Sequence, residues 1–527
     1  MRIPSKALAA ALCVLLAQTV GADVKPAAIF NDNMVLQRDR EVPVWGTAAP
    51  GEEVELQFAG QTLQTTADKD GNWELRLQPL AMNKEAADLT LKGKNNTRVL
   101  KNIVVGDVWL CSGQSNMEMP FSWGILDGKK FIEESANYPL IRKVKIQKLT
   151  AETPKRDISC SSWDVCSPKT LTNFTATGYF FARKLYQELE IPIGLIDDSW
   201  SGSQIEPFIP PEGFRQKELQ QTADFLDSIN PATEAGQKNF QTYFEKLKEW
   251  LAAAEQSVQA KTTPRTLPPS YPSLATHPGR WKPTSQYNAM IAPITRFPIK
   301  GAIWYQGCSN GGEGDIYYFK MKGLIEGWRN LWGYDFPFYF VQLAAYTAAT
   351  KDPAGGNGYA KIREAQRRAL SIPGTGMATA IDIGDQKDIH PKNKIDVGER
   401  LALWALAKDY GKDSLVYSGP LFKSMKIENG KIRLEFDYAD GLMTATKTGY
   451  APPVPDKNAK PAHFAIAGAD KKWVWADAVI DGNSILVSSP EVPEPVAVRY
   501  GFRAYPDGLN LYNAAGLPMV PFRTDNW

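Results

Sequence analysis

The stretch VVGDVWLCSGQSNMEMP, residues 104–120, marks the point at which the chain changes character. Its first seven residues are almost continuously apolar, which is typical of a strand that is buried on both faces of a parallel sheet. A polar cluster suited to a tight turn, GQSN at residues 113–116, follows at once. Because ligands bind beyond the carboxyl ends of such strands, Ser115 is predicted to lie at the ligand-binding edge of the sheet.

From residue 102 onward, apolar runs alternate with stretches of helical spacing, which predicts parallel βαβ units and an α/β domain over residues 102–413. The other predicted strands are Ile193–Asp197, Gly301–Tyr305, Phe336–Leu343 and Met377–Ile383. The predicted helices are Thr177–Glu188, Ile362–Leu370 and Ile395–Lys408.

Regions of β character flank this domain. Residues 23–101 contain short alternating strands separated by turns, such as EVELQF at residues 53–58, and indicate a β-sandwich. Residues 414–527 are again rich in strands. An insertion at about residues 210–280 interrupts the α/β pattern with a charged helical stretch, Phe240–Gln259, and a proline-rich segment. This insertion is either a lid over the ligand-binding edge or a surface excursion without function.

Composition narrows the class of partner. The chain has 527 residues and a net charge of +2, so no basic excess is available to neutralise the phosphates of a nucleic acid. After residue 22, no segment is long and apolar enough for a transmembrane helix.

Residues 1–22 are typical of a secretory signal peptide, with Arg2 and Lys6 before a short apolar run and small residues ahead of a cleavage point after Ala22. The mature chain is therefore expected to be secreted or periplasmic.

Histidine is the natural base for a serine hydrolase near neutral pH, and the chain has three histidines. His277 lies in the proline-rich insertion and His463 in the C-terminal region. His390 follows the predicted strand Met377–Ile383 and is expected at the same sheet edge as Ser115. Because no two of the histidines share the spacing of metal ligands, no metal and no other cofactor is expected.

Several segments together resemble the sialate O-acetylesterase family, a group of SGNH-type carbohydrate esterases. They are GDVWLCSGQSNMEM, PIGLIDDSWSGSQIE, IWYQGCSN, DIHPKNKIDVGERLALWAL and PMVPFRTDNW. The resemblance spans nearly the whole mature chain and implies a flavodoxin-like SGNH hydrolase domain. It also implies removal of O-acetyl groups from sugars, with sialic acid as the first expected substrate and acetylated xylan or xyloglucan as the second.

The resemblance also implies roles for individual residues. Ser115 would be the nucleophile, and its N–H group would be one oxyanion donor. Gly202 would supply a second N–H group, and the side-chain amide of Gln306 or Asn310 a third. His390 would accept the proton of Ser115 and return it to the departing sugar hydroxyl.

Two departures from the family pattern concern the same site. Cys308 stands where the usual motif WYQGESN has glutamate. SGNH hydrolases generally use an Asp-x-x-His motif, but position 387 is lysine here, and Asp388 lies only two residues before His390. Asp388 is the nearest residue that could orient the imidazole, and a Ser–His dyad without an acid is the alternative.

Export permits disulfides, and two bridges are expected. Cys160 and Cys166 flank the five residues SSWDV, so a small bridged loop is the simplest pairing. The second expected bridge joins Cys111, four residues before Ser115, to Cys308 in the amide loop.

Substrate contacts are expected from residues that adjoin the motifs. Arg363 is either a ligand for a sialic acid carboxylate or a surface helix arginine. Trp123, Trp200 and Tyr305 are either a stacking platform for sugars or part of the core. The alternative from another class is a carbohydrate-binding protein without catalysis, which the presence of both Ser115 and His390 disfavours.

Overall fold

The computed structural model of the protein describes residues 23–264 and 266–527, so the expected signal peptide lies outside the described residues. A mixed sheet of 11 strands forms the centre. The first eight strands are β1 Lys25–Pro26, β2 Val35–Gln37, β3 Val42–Thr47, β4 Glu53–Phe58, β5 Gln61–Thr66, β6 Asn72–Leu77, β7 Asn83–Lys92 and β8 Thr97–Gly113. The strands β1, β3 and β6 form a separate small sheet, whose buried side chains share one apolar core with those of β4, β7 and β8.

The α/β part of the central sheet continues with β9 Ile141–Lys145, β10 Asp164–Val165, β11 Ile193–Ser199, β12 Gly301–Tyr305, β13 Phe338–Gln342 and β14 Thr375–Thr379. Its strand order is β10-β9-β11-β8-β12-β13-β14, and all neighbours except β10 and β9 are parallel. The predicted parallel sheet is therefore present. Its order differs from the 2-1-3-4-5 order of a flavodoxin-like sheet, because β11 lies between β9 and β8.

Strand β8 is unusually long, with 17 residues, and belongs to both parts of the molecule. Its first part pairs with β7, and residues 104–106 pair with β2. Residues 107–113 pair with β11, and residues 109–113 also pair with β12. The boundary expected between residues 101 and 102 thus falls inside a continuous strand.

The helices are α1 Ser115–Glu118, α2 Gly128–Glu134, α3 Ala176–Leu189, α4 Gln220–Ser228, α5 Glu234–Gln259, α6 Ile316–Trp332, α7 Ala360–Arg368 and α8 Lys394–Asp409. Helices α3 and α8 pack closely because α8 has a glycine at the crossing: a Cβ atom on Gly398 would lie 2.6 Å from Cβ of Phe180. No helix of the described residues has the length and apolar character needed to cross a membrane.

Helices cover both faces of the sheet. Cys111 of β8 faces α3, since a Cβ atom on Gly178 would lie 3.1 Å from its Sγ atom. Ser112, the next residue of β8, points to the opposite face. Its neighbour on β12, Trp304, packs there on Trp328 of α6 with ring centroids 6.0 Å apart. This layering leaves the carboxyl ends of β11, β8 and β12 free to carry loops.

The C-terminal region is built of short strands with a second apolar core. They are β15 Leu421–Glu428, β16 Lys431–Asp437, β17 Met443–Thr446, β18 Val454–Pro455, β19 Phe464–Gly468, β20 Trp473–Trp475, β21 Asp477–Asp481, β22 Ser484–Ser488, β23 Pro495–Tyr500, β24 Leu511–Tyr512 and β25 Phe522–Arg523. Their pairings within this region are antiparallel.

Candidate active site

Three loops leave the sheet at neighbouring strand ends, after β8, β11 and β12. The backbone ties these ends together: the N–H group of Trp200 donates to the carbonyl of Gly113 at 2.9 Å, and that of Gln114 to the carbonyl of Tyr305 at 3.0 Å. Gly113 has φ +129°, and a Cβ atom there would lie 2.4 Å from the carbonyl oxygen of Tyr305. A glycine is therefore required where the chain turns out of β8 into α1.

Ser115 begins α1 directly after this turn and is 8% exposed. Its neighbour Gln114 fixes the turn from the side: the Oε1 atom accepts the N–H groups of Gly307 at 3.2 Å and Ser309 at 3.3 Å. The turn that carries Ser115 is thereby bonded to the loop that follows β12.

The other neighbour of Ser115 links it to the histidine loop. The Nδ2 atom of Asn116 donates to the carbonyl of Ile389 at 3.0 Å, one residue before His390. Two further contacts hold the same loop, because the N–H group of Leu126 donates to the carbonyl of Lys392 at 3.0 Å and the Trp123 ring lies edge-on to the His390 ring. The structure thus brings Ser115 and His390 to one edge of the sheet, as the sequence predicts.

The two nitrogen atoms of the His390 ring have different surroundings. Nδ1 lies 3.3 Å from Oδ1 of Asp388, the same oxygen that accepts the N–H group of His390 at 2.9 Å. Nε2 is buried and has no hydrogen-bond partner among the described residues. Burial, followed by the positive charge of Lys394, lowers the pKa of His390 below its usual 6.5, so the ring is a neutral acceptor near pH 7.

The loop after β11 is clamped to α1 by a carboxylate. Glu118 accepts the N–H group of Ser201 at 2.7 Å and its hydroxyl at 2.5 Å, and it pairs with Lys148 at 2.5 Å. Gly202 follows with φ +76°, and a Cβ atom there would meet nothing within 4 Å. Gly202 therefore borders open space beside α1.

The two amides expected as a third oxyanion donor are committed elsewhere. Gln306 is fully buried, and its Nε2 atom donates to the carbonyl of Ser203 at 3.1 Å and to Oδ1 of Asn310 at 2.8 Å. Asn310 is 1% exposed, and its Nδ2 atom donates to Glu206 at 3.1 Å and Glu313 at 2.8 Å. Both N–H groups of each amide are used in these bonds, so neither amide is free to donate to an oxyanion in this structure.

Arg363 is neither of the two alternatives that its sequence context left open. It is 1% exposed, and its guanidinium donates to the backbone carbonyls of Ala344, Arg503 and Ala504. The side chain therefore joins α7 to the C-terminal region and is not available to a substrate carboxylate.

The three aromatic candidates differ in exposure. Trp123 is 43% exposed beside His390, and Trp200 is half-buried and packs against Trp281 at the end of the insertion. Tyr305 is 1% exposed and presents no surface to a sugar. Only the two tryptophans can form a stacking surface at this edge.

The expected disulfides are absent from the described residues, where all four cysteines are free. Cys111 points to the face of the sheet that α3 covers, whereas Cys308 lies in the turn that follows β12. Burial raises the pKa of the Cys308 thiol to about 11. Cys160 and Cys166 face different backbone carbonyls, those of Ala28 and Ser135. Both predicted pairings are wrong for this structure because the side chains point to separate surroundings.

Three residues that hold the site were not singled out by their sequence context. Asn116 and Glu118 lie in the GQSNMEM segment, close to the more evident candidate Ser115. Lys394 lies four residues after His390. The position of Glu118 and Asn116 on the same short helix as Ser115 is the one pattern that could have pointed to them.

Comparison with known proteins gives consistent relatives. Residues 275–407 match the family model described as carbohydrate esterase, sialic acid-specific acetylesterase. The mouse and human sialate O-acetylesterases are 29% and 27% identical to the chain, over 80% and 82% of its length and 80% and 79% of theirs.

A solved structure extends this likeness to the fold. The crystal structure of a carbohydrate acetylesterase from Xanthomonas citri is 34% identical and superposes with a TM-score of 0.77 over 96% of this chain and 100% of that chain. With that degree of identity over the full length of the bacterial enzyme, and with the family segments gathered at one sheet edge, the chain belongs to the sialate O-acetylesterase family of carbohydrate esterases.

Proposed function

We propose that the protein is an SGNH-type serine esterase that removes O-acetyl groups from sugars through an acetyl-enzyme intermediate. The observation that carries this proposal is the link from Ser115 through Asn116 to the loop of His390, at the carboxyl ends of the central strands. The unpartnered Nε2 atom of His390 supplies the acceptor that a serine nucleophile needs.

The steps follow from these atoms. Oγ of Ser115 attacks the acetyl carbonyl while Nε2 of His390 takes its proton, and the imidazolium returns that proton to the departing sugar oxygen. Water then attacks the acetyl-serine by the same route in reverse and releases acetate. The N–H groups of Ser115 and Gly202 receive the developing oxyanion, since Glu118 fixes the loop of Gly202 against α1.

Asp388 completes the arrangement as the residue that orients the imidazole. Its carboxylate contacts both Nδ1 and the backbone N–H group of His390, so it fixes the ring and supports the imidazolium. Its exposed fraction of 39% places it in partial contact with water. Its electrostatic contribution is therefore smaller than that of a buried triad acid.

Two substrate classes remain in the proposal. O-acetylated sialic acid comes first, because the mouse and human relatives are sialate O-acetylesterases. Acetylated hemicellulose comes second, and the exposed Trp123 beside His390 favours it, since a polysaccharide chain stacks on such rings. Arg363 is not a ligand for the carboxylate of sialic acid in this proposal, because its side chain is buried.

The test is acetate release from a panel of 9-O-acetyl sialic acid, acetylated xylan and acetylated xyloglucan, with Ser115→Ala as control. We expect the variant to lose ~10⁶-fold in kcat on every accepted substrate, the order seen when a serine nucleophile is removed. Equal rates for both proteins on p-nitrophenyl acetate would favour a binding protein instead. Activity on a polysaccharide alone would overturn sialic acid as the substrate.

We also propose that the chain is exported and processed after Ala22, on the composition of residues 1–22. N-terminal sequencing of the protein recovered outside the cytoplasm tests this. A first residue of Asp23 is expected, and an intact Met1 would refute cleavage.

A further inference from the structure

Lys394 is an unusual lysine that contacts Asn116, the residue after the proposed nucleophile. It begins α8, its side chain is fully buried, and its Nζ atom donates to Oδ1 of Asn116 at 2.6 Å. A buried ammonium group is costly unless a carboxylate pairs with it. Among the described residues no carboxylate lies within ion-pair distance of Lys394, and the ring of Tyr305 lies 5.2 Å away.

The bond to Asn116 determines which way that side chain faces. Because the amide oxygen accepts from Lys394, the amide nitrogen is directed to the carbonyl of Ile389. A single amide thus connects the start of α8, the residue after Ser115 and the residue before His390. The donor at position 394 and the acceptor at Ile389 therefore select the same orientation of this amide, and loss of Lys394 leaves the amide oxygen without that donor.

The charges around Lys394 explain why its own charge acts on the base. Burial, followed by the charge of nearby Lys392, lowers the pKa of Lys394 to about 7, while Cys308 and Asp388 oppose this shift. Cys308 is neutral at this pH because its pKa is raised to about 11. Asp388 is paired with Lys392 at 3.2 Å and with His390. Below pH 7, where Lys394 is protonated and His390 titrates, the charge of Lys394 is therefore left largely uncompensated beside His390.

We propose that Lys394 is a positioning residue of the esterase, which fixes the Asn116 amide between the Ser115 helix and the His390 loop and, when it is itself protonated, opposes a second positive charge on the imidazole. This inference rests on the proposed roles of Ser115 and His390. It adds to them a group that never touches the substrate and that acts only through Asn116 and through its field.

Histidine NMR tests the charge directly, without any assay of activity. The chain has three histidines, so ¹³Cε1 labelling gives three titrating signals, and His390→Gln assigns the one of interest. In Lys394→Met we expect the midpoint of the His390 titration to rise by ~1 pH unit, the usual size of a shift from one nearby charge. An unchanged midpoint would overturn the proposal.

The kinetic test separates positioning from general instability. In Lys394→Met the acid limb of kcat/KM should move to higher pH with the NMR midpoint, and kcat at pH 8 should fall by ~10–100-fold at little change in KM. Lys143→Met is the matched control, because Lys143 of β9 is also buried but pairs with Asp164 of β10 at 3.3 Å. It should lower stability without moving the His390 midpoint.

A second variant keeps the proposal testable if Lys394→Met does not fold. Cys308→Glu retains the lysine and places a compensating carboxylate near it, so the His390 midpoint should again rise; a midpoint at the wild-type pH would refute the role of the charge. Failure of the underlying function is recognised separately, because it would appear as full activity in Ser115→Ala while the NMR shift in Lys394→Met persists.

Discussion

Oδ1 of Asp388 lies 3.3 Å from Nδ1 of His390 and 2.9 Å from the backbone nitrogen of the same residue. One carboxylate oxygen thus contacts both the ring and the main chain of the proposed base. Asp388 lies two residues before His390, one fewer than in the usual Asp-x-x-His motif. This spacing is compatible with the contact because a backbone turn brings the N–H group of His390 to the carboxylate.

Asp388→Asn should reduce kcat by ~10²-fold on p-nitrophenyl acetate. The amide keeps the shape but no longer stabilises the imidazolium, and a loss of ~10⁴-fold is known for a buried triad acid, which Asp388 is not. The negative charge of Asp388 also favours protonated His390, so the acid limb of the rate profile should move to lower pH in the variant. A kcat near that of the wild type would establish a Ser–His dyad.

The pH profile of kcat/KM should rise through a midpoint below pH 6.5 and stay level above it. His390 must be neutral to accept a proton, and burial together with Lys394 lowers its pKa, so the active form extends to mildly acidic pH. Steady-state rates between pH 4.5 and 8 measure this midpoint. A midpoint above pH 7 would mean that His390 is not the limiting base.

Glu118→Ala should lower kcat by ~10–100-fold with little change in KM. The substitution releases the backbone N–H group and the hydroxyl of Ser201, so the loop that carries Gly202 loses its attachment to α1. Ser201→Gly removes only the hydroxyl contact and should cost less than ~10-fold. If Glu118→Ala changes KM alone, the clamp serves substrate binding rather than the oxyanion loop.

Asn310→Ala should destabilise the fold more than it affects chemistry. The variant leaves the N–H group of Ile205 and one of the two N–H groups of the Gln306 amide without an acceptor, and each unsatisfied buried group costs ~1–3 kcal/mol. Urea denaturation should show a loss of ~2–5 kcal/mol. Ser309→Ala, which loses one hydroxyl bond to the carbonyl of Gly202, is the control and should cost ~1 kcal/mol. A fall in kcat of ~10²–10³-fold at full stability would instead restore Asn310 as an oxyanion donor.

The sequence predicts the placement of the main catalytic candidates because apolar strands are readable locally. The expected strand Gly301–Tyr305 is observed with the same bounds as β12, and the expected run at residues 104–110 lies within β8. Since parallel strands share one edge for their carboxyl ends, the strand pattern predicts that Ser115 and His390 lie at the same edge. Strands β12 and β13 lie between β8 and β14, so the contact between the two loops depends on the bond from Asn116 to Ile389, which the strand pattern does not predict.

What the sequence does not predict depends on the direction of side chains. Gln306 and Asn310 adjoin the site along the chain, yet their amides bond to each other and to the loop's own carboxylates. Cys111 and Cys308 were paired by their neighbourhood alone, although strand alternation turns Cys111 towards α3. Neither fact follows from spacing, because both depend on a long-range fold that a local pattern does not contain.

Strand β8 has a consequence for how this architecture can change over evolutionary time. The same strand pairs with β7 of the N-terminal β region and, further along, with β11, and it ends two residues before Ser115. An exchange of modules at residue 101 would sever hydrogen-bonded backbone on both sides of the cut. The N-terminal region is therefore not a separable module, and lineages of this esterase are expected to inherit it together with the proposed nucleophile, Ser115, as one unit.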